Sequence, residues 1–124
     1  DAVKALDVGA DAIIVSNHGG RQLDQTSSTI SMLPKIVEAV KGKSAIWLDG
    51  GIRSGQDILK AVALGADNTL IGRAMSYGLA ANGISGCEKT LNILHTELDM
   101  TMALCGHKNL KEVDDSILKI ESDF

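Results

Sequence analysis

Seven consecutive residues, Ser16, Asn17, His18, Gly19, Gly20, Arg21 and Gln22, bring together a hydroxyl, an imidazole, a guanidinium and two glycines. An imidazole titrates near neutrality and can take a proton. A guanidinium can grip a carboxylate through two parallel hydrogen bonds. If His18 and Arg21 converge on one small anion, Arg21 holds its carboxylate and His18 removes a proton from the neighbouring carbon or hydroxyl. The glycines let the backbone turn sharply or approach a ligand closely. The apolar run Ala12, Ile13, Ile14, Val15 before them reads as a buried strand of a parallel sheet. A polar loop at the end of such a strand is where β/α folds carry their chemistry.

Two further loops suit an anion. Asp49, Gly50, Gly51, Ile52, Arg53, Ser54 and Gly55 follow a second apolar run and lead into a helix start. Successive backbone N–H groups and the helix dipole there favour negative charge. A third run ends in Ile71, Gly72 and Arg73. Either loop alone reads equally well as an ordinary turn with a surface arginine, because glycine-rich loops are weak signals. Their succession after the histidine loop favours one shared phosphate, with Arg53 and Arg73 as counter-charges.

The string Ser16, Asn17, His18, Gly19, Gly20, Arg21, Gln22, Leu23, Asp24 resembles the active-site signature of the FMN-dependent α-hydroxy acid oxidases and dehydrogenases, the glycolate oxidase and L-lactate dehydrogenase group. The resemblance continues through the Asp49–Arg53 and Gly72–Arg73 segments to Leu110, Lys111, Glu112 and Val113, nearly the whole chain. It implies that His18 is the base and that Arg21 binds the substrate carboxylate. It implies further that Ser16 contacts the flavin, and that Asp49, Gly50, Gly51, Ile52, Arg53, Gly72 and Arg73 form the segments holding the FMN phosphate and ribityl chain. Ala74, Met75 and Ser76 depart from the family pattern, which commonly has proline and larger apolar residues there; helix packing is what this touches. The family's flavin-proximal lysine and the carboxylate that orients its histidine have no counterpart in this sequence.

The supporting elements follow from periodicity. Strands are expected at 12–16, 45–49 and 68–72. In the segment 28–40, Ile30, Leu33, Ile36, Val37 and Val40 recur at helical spacing, and Pro34 predicts an initial turn followed by a second helix, or a kink. Ser54 is placed to cap a helix over 55–64, with Asp57 in its first turn. A short helix near 75–81 precedes a long one over 85–104. The long one carries an apolar stripe of Cys87, Leu91, Leu94, Leu98, Met102 and Cys105 and stops at Gly106. Asn109 to Glu112 has a capping-box shape, and the tail from Asp114 is charged.

An internal repeat orders these units. Asp1, Lys4, Ala5, Gly9, Ala10 and Asp11 recur as Asp57, Lys60, Ala61, Gly65, Ala66 and Asp67. Each copy is a helix, a glycine turn and a strand, the mark of stacked β/α units. The first copy lacks a strand before it, and the chain opens at Asp1 without a methionine, so an upstream segment is expected. A closed β/α barrel needs eight strands and about 250 residues. The fold expected is therefore α/β, the C-terminal part of a TIM-type barrel with its last three strands, and residues 1–124 form the C-terminal portion of the barrel domain. An open three-stranded sheet is the rival, and it leaves two bare edges.

Composition sets the remaining bounds. A net charge of −4 offers no basic footprint for nucleic acid. Hydrophobic content of 44% with 23% charged residues is that of a globular chain, without an apolar run long enough to span a bilayer. Cys87 and Cys105, 18 residues apart in one expected helix, lie roughly 27 Å apart and beyond disulfide reach. They suggest a reducing compartment, here the cytoplasm. No metal site is expected. Asp24 is read as a turn cap, and His95 and His107 as surface or boundary residues.

The function expected is FMN-dependent oxidation of a 2-hydroxy acid to a 2-oxo acid, with FMN as cofactor. Its partners are a small 2-hydroxy acid, and either the upstream barrel segment or another copy of the chain, as a homo-oligomer. The alternatives are a non-catalytic fragment that binds phosphate or FMN weakly or self-associates, and another phosphate-binding FMN barrel enzyme.

Overall fold

The structure, a computed structural model, describes residues 1–119. The order is α1 (Ala2–Asp7), β1 (Ala12–Val15), α2 (Thr29–Val40), β2 (Ala45–Asp49), α3 (Gly55–Ala63), β3 (Asn68–Leu70) and α4 (Arg73–Leu104), with short 3-10 turns at His18–Gly20, Leu110–Glu112 and Asp115–Ile117. The expectation for the charged tail falls partly outside the described residues.

The strands form a parallel sheet in the order β1-β2-β3. Val15 pairs with Leu48, and Leu48 with Thr69. Crossovers of one hand put α2 and α3 on the same side of the sheet. There Val15, Ile46, Leu48 and Ile52 meet Leu33, Val40, Ala61 and Ala66 in the core. The sequence suggests strands buried on both faces, but this holds for one face only. Ile14 and Trp47, neighbours in the register, project from the other face and remain 54% and 36% exposed.

The repeat is structural. Gly9 and Gly65 have φ of 94° and 98°, the left-handed region that follows a helix C-terminus. In both copies the alanine after the glycine donates its N–H back to the helix, Ala10 to Ala5 and Ala66 to Ala61, each at 3.0 Å. Asp67 then clamps its unit to the preceding strand: its N–H donates to the Ile46 carbonyl at 2.8 Å, and its Oδ2 accepts the Ile46 N–H at 2.7 Å.

Three helix expectations need correction. Helix α2 runs unbroken through Pro34, which removes one N–H donor but leaves the helix continuous; Ser28 caps it by accepting the Ser31 N–H. The two helices expected between 75 and 104 are present: α4 is interrupted by non-helical backbone at Asn82 and Gly83, and this divides it in two. Its halves cross so closely that a Cβ on Gly78 or Gly86 would strike the other's backbone. The apolar stripe is only partly used: Leu94 and Met102 are buried, whereas Leu91 and Cys105 are exposed. Asn109 caps its turn through Lys111 N–H without the reciprocal Glu112 bond of a capping box.

Candidate active site

Strand ends and sheet register decide which loops meet. β1, β2 and β3 finish at the same end of the sheet, so the loops after them share one cleft. It has a volume of about 510 Å³ and is lined by His18, Arg21, Asp49, Gly50, Gly51, Ile52, Arg53, Gly72 and Arg73, together with Gly19 and Leu70. Every residue expected in the site lines this cleft except Ser16. Ile52 is 6% exposed and belongs to the core.

The chain is acidic overall, with a net charge of −4. The cleft reverses that balance: three arginines line it against one carboxylate, Asp49. Among the described residues no side-chain hydrogen bond commits the guanidinium of Arg21, Arg53 or Arg73. A cavity of this size with such a donor set suits a small anionic ligand bearing hydroxyls, with Asp49 as the acceptor.

Side chains already occupy part of the second glycine-bearing loop. The start of α3 is already closed by carboxylates. Asp57 Oδ2 accepts from the N–H groups of Arg53 at 3.0 Å and Ser54 at 2.9 Å, while Ser54 Oγ accepts from the Asp57 N–H. Glu97 of α4 takes the Gly55 N–H at 2.9 Å. These amides cannot also cradle a phosphate. By contrast, the start of α4, with Gly72 as its cap residue, has no side-chain cap. With Arg53 and Arg73 lining the same cleft, the free N–H groups and dipole of that start suit an anion. The departure at Ala74, Met75 and Ser76 does not prevent the helix from starting at Arg73.

The histidine loop is held in an uncommon conformation. His18, Gly19 and Gly20 have φ of 56°, 66° and 71°. Left-handed backbone is ordinary for glycine and infrequent for histidine. Ser16 Oγ accepts the His18 N–H at 3.1 Å and donates to Asp49 Oδ2 at 2.6 Å. Ser16 also lines the groove beside the β1 edge.

Sequence reasoning missed Glu97, which is 42 residues from its partner Gly55 and carries no local signal. It also missed Thr29, whose hydroxyl lies 3.5 Å from the Gly50 carbonyl. Of the residues given ordinary roles, Asp24 Oδ1 accepts the Gln25 N–H, His95 is exposed and His107 is half-buried. No group of three or more potential metal ligands occurs among the described residues.

Residues 1–120 match the family described as FMN-dependent dehydrogenase. The chain is 46% identical over 99% of its length to a peroxisomal (S)-2-hydroxyacid oxidase of Arabidopsis thaliana, covering 34% of that protein. It is 52% identical over 95% of its length to a 2-hydroxyacid oxidase of Dictyostelium discoideum, covering 30% of it. Among solved structures, a mandelate oxidase variant with a monooxide FMN adduct superposes with a TM-score of 0.87 at 49% identity, over 90% of this chain and 35% of that one. The chain thus spans about a third of the length of the relatives it matches.

Proposed function

The chain belongs to the FMN-dependent dehydrogenase family, and we propose that it is the segment of a 2-hydroxy acid oxidase or dehydrogenase that supplies the base, the carboxylate clamp and the phosphate cradle. The carrying observation is the cleft, where His18 and Arg21 from the first strand end meet Asp49, Arg53 and Arg73 from the next two. The first pair suits a 2-hydroxy acid, and the second group suits a phosphate-bearing cofactor.

Oxidation of a 2-hydroxy acid to a 2-oxo acid releases two electrons and two protons. FMN, when bound, supplies the acceptor for the electron pair. Arg21 fixes the substrate carboxylate by a bidentate contact and thereby orients the α-carbon. His18 takes a proton, from either the α-carbon or the hydroxyl, and holds it on the imidazole. Arg53, Arg73 and the free N–H groups at the start of α4 hold the phosphate, and Asp49 accepts from a ribityl hydroxyl.

The segment fits into a TIM-type barrel as an arc of three β/α units. Asp67 ties its unit to the preceding strand through Ile46. Its repeat equivalent, Asp11, heads β1, whose outer edge is a groove lined by Ala12, Ile14, Met32 and Ile36. A parallel strand in that groove completes the pattern. Position at the C-terminal end of the barrel is part of the same proposal, because late barrel strands build phosphate sites of this kind. The exposed Ile14 and Trp47 face the barrel interior in this arrangement. In the isolated chain they favour self-association, which is the second reading. Placement in the cytoplasm is likewise a proposal: both cysteines are free, while the Arabidopsis relative is named peroxisomal. None of the described helices is long and apolar enough to cross a membrane.

Titration of the purified chain with FMN, followed by flavin fluorescence, tests the cradle. Binding weakened by added inorganic phosphate is expected, and the absence of any FMN binding overturns it. Assays of glycolate, lactate and mandelate with an artificial acceptor should show little turnover by the isolated chain, since misplacement by about 1 Å can cost 10²-fold. Robust turnover by a monomer overturns the arc reading.

A further inference from the structure

The hydrogen bonds of Ser16 leave it little capacity for a cofactor. Its single proton is committed to Asp49 Oδ2 at 2.6 Å, the short distance of a charge-assisted bond. One of its lone pairs accepts the His18 N–H at 3.1 Å. A hydroxyl has one donor and two acceptor sites, so Ser16 can offer a ligand only one acceptor site. The residue it does serve, His18, has φ of 56°, in the left-handed region.

We propose that Ser16 is a positioning residue for His18, locking the left-handed turn that aims the imidazole, with Asp49 as the anchor of that lock. The inference rests on the reading of His18 as the base, and it adds a link between the two halves of the site. Asp49 directs one carboxylate oxygen to Ser16. Among the described residues the other has no side-chain hydrogen bond, and Asp49 lines the cleft. A ligand hydroxyl donating to that free oxygen therefore binds the same carboxylate that steadies the histidine loop. Occupancy of the cradle and order of the base loop become coupled through one side chain. The sheet makes this possible: Val15 pairs with Leu48, so the residues that follow them, Ser16 and Asp49, emerge side by side.

The test is amide hydrogen exchange at His18 in the isotopically labelled full chain, without flavin and then with it. Ser16→Ala should speed His18 N–H exchange by roughly threefold to tenfold, the effect of one lost neutral hydrogen bond. It should also shift the His18 ring resonances. Ser16→Thr, which keeps the hydroxyl, should restore both. Asp49→Asn should reproduce the alanine effect in part, and adding FMN should slow the exchange in the wild-type chain only. A general loss of structure would speed exchange throughout β2 and α2 and would not be rescued by threonine. Unchanged His18 exchange and ring shifts in Ser16→Ala overturn the lock. Because the flavin-free measurement involves no cofactor, a chain that fails to bind FMN but shows the Ser16 effect refutes the cofactor reading and leaves the lock standing.

Discussion

Glu97, late in α4, accepts the N–H of Gly55, the first residue of α3, at 2.9 Å. This bond joins two elements that the chain separates by the third strand and the first half of α4. It also occupies an N–H at the start of α3, whereas no side chain caps the start of α4. Gly55 permits the contact by its lack of a side chain: a Cβ there would collide with the backbone nitrogen of Leu98.

Glu97→Gln keeps the shape but removes the charge that complements the α3 dipole. A loss of about 1 kcal/mol is expected, and Gly55→Ala should cost more, about 1–3 kcal/mol, by overpacking. Urea unfolding of the three proteins checks this. If Gly55→Ala is as stable as the parent, the close approach of α3 and α4 is wrong.

His18→Gln, in the complete barrel enzyme to which we assign this chain, should lower turnover by roughly 10²–10⁴, the usual share of a general base. Flavin affinity should be nearly unchanged, since the phosphate cradle we propose is built from other loops. Steady-state kinetics beside a flavin titration separates the two effects. Near-parental turnover would remove His18 from the role of base.

Arg21→Lys retains the positive charge and loses the planar fork. Substrate binding should weaken while the flavin spectrum is preserved. An unaltered KM for a 2-hydroxy acid, with kcat also intact, would show that the carboxylate is held elsewhere.

Replacing both Arg53 and Arg73 by alanine removes two charge-assisted contacts to phosphate. The double variant should lose flavin on desalting, and its residual affinity should depend less on salt. Full flavin occupancy after gel filtration would contradict the cradle.

Much of this molecule is legible in the sequence because it is local. The Ser54–Asp57 pair closes the start of α3 within four residues, as a reciprocal capping box. The glycine turns at Gly9 and Gly65 follow from helix C-terminal geometry and repeat where the sequence repeats. The strands are found within two residues of expectation, because four or five apolar residues between turn signals can hardly be anything else in a β/α repeat. The three loops that line the cleft are identifiable for the same reason: each directly follows a strand.

The tertiary structure decides which hydrogen bonds those loops still have to give. Neither Ser16 nor Glu97 shows its partner in sequence, since Asp49 and Gly55 are 33 and 42 residues away. Ser16 meets Asp49 because the parallel register sets Val15 beside Leu48; shifting it by one residue would separate them. Glu97 meets Gly55 because α4 breaks at Asn82–Gly83 and folds back, bringing its second half to the start of α3. Local chemistry thus supplies the arginines, the histidine and the free amides. Register and the helix break then choose which amides are already bonded.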